Sequence, residues 1–172
     1  MMATTNKGRK MAEAKDAEKR ISIGKLYLKD FSFESPQAPE VFRHPEWRPK
    51  TNLDLSSSHI ELSDNQHEVV LKTTVTAVSE SEKKEDEKTL FIVELEQAGI
   101  FEIVGYEGEE LSHIIGSFCP NTLFPYARET LSTLIIKAGF PEFLLQPINF
   151  DNLWRQARAE ENANPGEGAA KH

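Results

Sequence analysis

The side chains that carry most enzyme and metal chemistry are sparse and scattered in this chain. His44, His59, His67 and His113 show no i, i+4 pairing that would set two imidazoles on one helix face, so no zinc or other metal site is expected. Cys119 is the one cysteine. It has no second thiol for a disulfide and no local His or Asn to activate it, and a G-x-S-x-G elbow is absent. Its place before Pro120 in an apolar run predicts a buried, inert thiol, suited to a reducing compartment. The chain also lacks a P-loop and a G-x-G-x-x-G turn. The candidate carboxylates lie on polar strand faces or on a charged tip, where solvated surface is the simpler reading. The residues therefore predict no enzyme and no cofactor; a protein that holds others must do so without hydrolysing ATP itself.

What remains is recognition by surface. Phe42, Trp47, Leu53, Leu55, Phe150 and Trp154 fall on or beside two proline-rich segments. The first, Ser35 to Pro49, holds four prolines and excludes regular helix or strand. Large apolar groups on such a crossover either pin it to the domain or line a groove for something apolar. A groove burying about 1,000 Å² of apolar area gains about 25 kcal/mol gross, while ordering ten residues costs about 10 to 20 kcal/mol. One groove is marginal, so long clients favour an oligomer with several. An extended client can also pair its backbone with an open sheet edge.

The elements that must position these groups are legible by period. From Ile21 the chain reads as a strand, with Phe31 and Phe33 on one face and Asp30, Ser32 and Glu34 on the other. After the crossover Leu53 and Leu55 flank Asp54, and Ser56 to Ser58 loosens the chain. Glu68 to Val78 is the clearest strand, rich in β-branched residues. Thr89 to Gln97 pairs with it, setting Phe91, Val93 and Leu95 against Leu90, Ile92, Glu94 and Glu96. Between them Ser79 to Lys88 is a charged hairpin tip, and Gly99 to Val104 reads as a further strand.

A short helix is expected from Glu109 to about Phe118, then a main helix with Pro120 at a first-turn position and Pro125 starting or kinking it, running to about Ala138 and ended by Gly139. Leu123, Phe124, Ala127, Leu131, Leu134, Ile135 and Ala138 share one arc that can cover a sheet. Tyr126 and Ile136 fall outside that arc, which leaves a second protein contact open beside a plain amphipathic helix. A last helix, from about Asn152 to Glu161, is capped by Asn149 or Asp151 and docked by Phe150, Leu153 and Trp154.

The 172 residues suffice for one domain. Residues 1–20 and 163–172 have the composition of disordered tails around a domain at 21–162. The net charge is −8, yet residues 1–20 carry six basic and three acidic side chains, leaving −11 for the rest. That balance argues against nucleic acid and for basic partners. No apolar run approaches the roughly 20 residues of a membrane span, and no secretory h-region opens the chain; a soluble, cytoplasmic protein without membrane insertion is expected.

Several separated blocks carry a family resemblance: K-D-F-S-F-E-S-P at Lys29 to Pro36, Q-A-G-I-F at Gln97 to Phe101, C-P-N-T-L-F-P-Y-A-R-E at Cys119 to Glu129, and G-F-P-x-x-x-L-x-P-I-N-F-D at Gly139 to Asp151. Together they resemble the bacterial protein-export chaperone SecB, over about residues 21 to 160. The hairpin tip is longer than that family's, and Ala98-Gly99 stands where the family usually has a glycine pair. The resemblance implies an α+β fold: a four-stranded antiparallel sheet with a long helix and a short C-terminal helix packed on one face. It implies a homotetramer, a dimer of dimers, with Val93, Leu95 and Gln97 affecting assembly, to which Tyr126 and Ile136 add a helix face. It implies holding of unfolded secretory precursors in a groove matching Trp47, Leu53, Leu55, Phe150 and Trp154, beside Phe42. It further implies delivery to the translocation motor SecA through an acidic face at Asp30, Glu34, Ile92 and Glu94. A SecB-like chaperone dedicated to one antitoxin, or a small-ligand-binding α+β domain, are the alternatives.

Overall fold

The computed structural model describes residues 18–43, 49–81 and 87–163. In chain order these form β1 (Arg20–Glu34), a 3-10 turn (Glu40–Arg43), β2 (Pro49–Ser63), β3 (Gln66–Ser79), β4 (Thr89–Val104), α1 (Gly108–His113), a π-helical stretch (Ile114–Phe118), α2 (Cys119–Lys137) and α3 (Phe150–Ala163). The strands make one antiparallel sheet in the order β1-β4-β3-β2. This is the α+β architecture expected. Of the tails at 1–20 and 163–172 only residues 18–20 and Ala163 are described; Trp47 and residues 82–86 of the hairpin tip also lie outside the described residues.

Strict alternation builds the centre of the sheet. Val69, Leu71, Thr73, Val75 and Ala77 of β3 are buried beside Phe91, Val93, Leu95, Phe101 and Ile103 of β4. We call this the inner face. It is covered by α2, whose Leu123, Ala127, Leu131 and Ile135 are each no more than 1% exposed. Helix and sheet approach closely at Gly99, where a Cβ would stand 2.8 Å from the Phe101 ring and 3.0 Å from both Leu123 and Leu26. Only glycine fits that contact.

β1 follows a different rule. Its apolar residues Ile21, Ile23, Leu26, Leu28, Phe31 and Phe33 are spaced alternately by two and three positions, and the register shifts at Gly24 and Lys29 absorb the extra residues. Each shift is a β-bulge that restores the phase. All six apolar side chains therefore share the inner side, opposite Ile103, Phe101, Gly99, Gln97, Leu95 and Val93.

Three local expectations are corrected. Ser56 to Ser58 does not loosen the chain: β2 runs through Ser63, because every residue from Pro49 to Glu61 has a partner on β3. Backbone pairing outweighs weak strand propensity there. Residues 89–97 and 99–104 are one strand, not two, since β4 is flanked on both sides and its ladders continue across Ala98 and Gly99. Pro120 lies in the first turn of α2 as expected, but the main helix does not start at Pro125, which sits inside α2. The helical path begins further back, at Gly108, and crosses the π-helical stretch before Pro120. Wider π turns shift the carbonyl ladder ahead of a residue that has no N–H to offer.

The exit from α2 is as the glycine predicts. Gly139 has φ +90, and the Gly139 and Phe140 N–H groups donate to the Ile136 and Ile135 carbonyls at 3.0 and 3.2 Å. This pairing is a Schellman motif, with glycine at the left-handed position. It turns the Phe140 ring back between Phe91 (4.9 Å) and Phe42 (5.1 Å). At α3 the Asn152 N–H donates to Asn149 Oδ1 at 3.0 Å, so Asn149 rather than Asp151 is the cap.

Candidate functional site

Among the described residues no helix covers the outer face of the sheet. Its polar character follows from the β1 bulges, which turn Asp30, Ser32 and Glu34 outward opposite Glu96, Glu94 and Ile92 of β4. Asp30, Glu34, Ile92 and Glu94 thus lie on one surface across two adjacent strands. β3 and β2 extend it, because the row Ser32, Glu94, Thr74, Asp54 crosses all four strands. Cations are interspersed on this face, and several are paired: Lys72 reaches Glu96 at 3.9 Å, Arg20 meets Glu102 at 3.0 Å, Lys50 meets Glu87 at 2.9 Å, and Lys29 is taken up by Glu68 at 2.8 Å.

Among the described residues Glu68 is the one buried carboxylate, 7% exposed. The Tyr27 hydroxyl donates to its Oε1 and Lys29 Nζ to its Oε2. These hydrogen bonds, Lys29's first, hold the Glu68 carboxyl below its ordinary range, and the Glu68 bond in turn pushes Tyr27 up to about 12. Nothing in the sequence pattern singles out Glu68, because its partners sit on another strand.

The groove residues are spread along the inner side. Leu53 and Leu55 are half-buried on β2, facing Val75 and Thr73. Phe42 is 50% exposed and lies over the end of α2, against Phe140. Phe150 is buried against Phe124 with ring centroids 5.6 Å apart, so it anchors α3. Trp154 packs edge-on to His113 at 4.7 Å and rests on Gly116, where any Cβ would collide with the indole. His113 Nε2 and Asp151 Oδ1, 2.6 Å apart, close the same junction, and this bond lowers the Asp151 carboxyl.

Between α1, α3 and β2 lies a cleft of about 400 Å³, lined by Trp154, Leu111, Ile115 and Gly116 on the helices and by Ser57, Ser58 and His59 on the strand. Among the described residues Trp154 is the one sequence-predicted groove residue that lines it; Leu53, Leu55 and Phe42 lie further along β2 and over α2. Sequence reasoning missed Gly116 and the β2 serines. A glycine inside a helical pattern was the available signal for the first.

The assembly candidates divide in two. Val93 and Leu95 are fully buried within the chain, and Gln97 Nε2 donates to the Tyr27 carbonyl at 2.9 Å, bracing the second bulge. Tyr126 and Ile136 are each 50% exposed on α2. Ile23, Leu28 and Phe31 of the edge strand β1 are 47%, 41% and 51% exposed on the inner side. An edge strand with an uncovered apolar flank is a pairing surface. Cys119 is buried, and burial pushes its thiol up to about 12.

A family profile described as preprotein translocase subunit SecB matches residues 14–161. The chain belongs to the SecB family. Among its relatives, the protein-export protein SecB of Hahella chejuensis is 45% identical over 166 residues, covering 94% of this chain and all of the relative. That of Marinobacter nauticus is 47% identical over 146 residues, covering 84% of each. The SecB-like chaperone of Mycobacterium tuberculosis, solved in complex with a peptide from the HigA1 antitoxin, has a TM-score of 0.59 at 18% identity, over 75% of this chain and 91% of that one. At that identity the likeness concerns the SecB fold alone. This chain is thus a SecB chaperone of the Sec export pathway, and among the described residues no helix is long and apolar enough to cross a membrane.

Proposed function

We propose that this SecB protein is an ATP-independent holdase of the cytoplasm, not an enzyme. It keeps non-native secretory precursors export-competent and passes them to SecA. The observation that carries this reading is the division of labour across one sheet. Acidic side chains occupy an outer face that no helix among the described residues covers, while apolar side chains and the cleft gather on the inner side. Clients engage the inner side at Phe42, Trp47, Leu53, Leu55 and Trp154, with Phe150 holding α3 in place. SecA engages Asp30, Glu34, Ile92 and Glu94. The working form is a homotetramer built on residues 21–162, with residues 1–20 and 163–172 as extensions. Support comes from the uncovered flank of β1 and from Tyr126 and Ile136, surfaces that a monomer would leave wet.

Dilution of a denatured secretory precursor, with and without this protein and without nucleotide, tests the reading, with the assembly's mass measured alongside. Arrested refolding near one tetramer per client is expected, because binding the unfolded chain opposes folding by mass action. Normal refolding beside an intact tetramer would remove the general holdase and leave a dedicated client. Glu94→Lys should impair SecA binding while arrest persists; loss of both together would contradict separate surfaces.

A further inference from the structure

The acidic outer face contains a lysine in an unexpected place. Because Lys29 is the extra residue of the second β1 bulge, it and Asp30 project toward the same face although they are consecutive in sequence. A free lysine beside Asp30 would neutralise the acidic field where a basic partner docks. It is instead drawn across β4 to Glu68 on β3, at 2.8 Å. Tyr27 reaches the same carboxylate over Ala98, its partner on β4, which is fully buried. Glu68 itself is too buried to meet a partner.

We propose that Glu68 is a positioning residue for the docking face: with Tyr27 it sequesters the Lys29 ammonium and so keeps the surface around Asp30 and Glu94 acidic. The inference rests on that face being the SecA surface. The carboxylate is held ionised by its two donors, so the trap persists across neutral pH. Glu68→Gln keeps the side chain's shape and a partner for Tyr27 but releases Lys29 toward Asp30.

The test measures SecA affinity of the full-length assembly at low salt, with client arrest and assembly mass as controls. Glu68→Gln should weaken SecA binding about fivefold, the worth of one exposed charge pair, with the deficit shrinking as salt rises. Lys29→Met added to Glu68→Gln should restore affinity, which a merely structural role for Glu68 would not allow. Unchanged binding by Glu68→Gln, or a double variant no better than the single, overturns the inference. If Glu94→Lys weakens binding and Glu68→Gln does not, the inference falls and the acidic face stands; if Glu94→Lys has no effect, both fall. Should Glu68→Gln not fold, Lys29→Met alone should bind SecA at least as tightly as the natural chain, and weaker binding would overturn the proposal.

Discussion

The two faces of the sheet are built from alternate residues of the same strands, yet they differ in what holds them. On the inner face Val75, Val93, Leu123 and Leu131 are fully or almost fully buried, and removing any atom leaves a void. On the outer face no helix among the described residues covers Glu94 and Asp30, and order comes from a few cross-strand bonds such as Tyr27 and Lys29 to Glu68. Packing makes one face costly to alter. The other is free to carry charge at its exposed positions, because those side chains contribute little to folding. A partner surface can therefore be tuned without disturbing the core that displays it.

The comparison breaks most readily on the inner face. Leu131→Ala, at a side chain 1% exposed, should destabilise the fold by about 2–5 kcal/mol through lost burial and a cavity. Urea unfolding at fixed protomer concentration checks it; a loss below about 1 kcal/mol would mean that α2 collapses onto the sheet. Charge changes at Glu94 should stay within about 0.5 kcal/mol in the same assay.

An intermediate effect is expected at the α3 junction. Gly116→Ala drives a methyl group into the Trp154 indole, and such overpacking costs about 1–3 kcal/mol. The cleft should be altered with it, so client affinity should fall while SecA binding at the outer face persists. Trp154 fluorescence and α3 hydrogen exchange report the displacement; an unchanged exchange rate would show that the indole shifts without releasing the helix.

The smallest effect sharpens the contrast between two consecutive residues on opposite faces. His67 is 4% exposed, its Nδ1 lacks a hydrogen-bond partner, and burial lowers its pKa below 6.5. The unfolded chain therefore binds the proton first, and His67's contribution is complete above pH 6.5 and lost as pH falls through its lower folded value. Glu68, also lowered but with an ordinary value of 4.5, loses its share only at more acid pH. Stability of the natural chain should thus decline in two stages on acidification. His67→Gln should remove the first stage and keep the second; a curve identical to the natural one would assign the first stage elsewhere.

Much of this architecture was legible in advance, for a reason visible at particular residues. The α2 stripe and the β3 alternation are periodic, and period alone picks the buried face at Leu123, Leu131, Val69 and Val75. The outward placing of Asp30, Glu34, Ile92 and Glu94 follows from the same alternation. β2 was hidden because Ser56 to Ser58 resemble a loop until β3 lies beside them. The two bulges are written in β1 as a spacing of two and three, but that spacing becomes a register only against β4.

Local periodicity, then, was enough for the element types, the apolar faces and the acid on the far side of the sheet, since each depends on neighbours a few positions away. Glu68's hold on Lys29, the seat of Trp154 on Gly116 and the continuity of α1 into α2 were settled by folding itself. Each joins residues from different elements or overrides a local proline preference, and only close packing sets such distances.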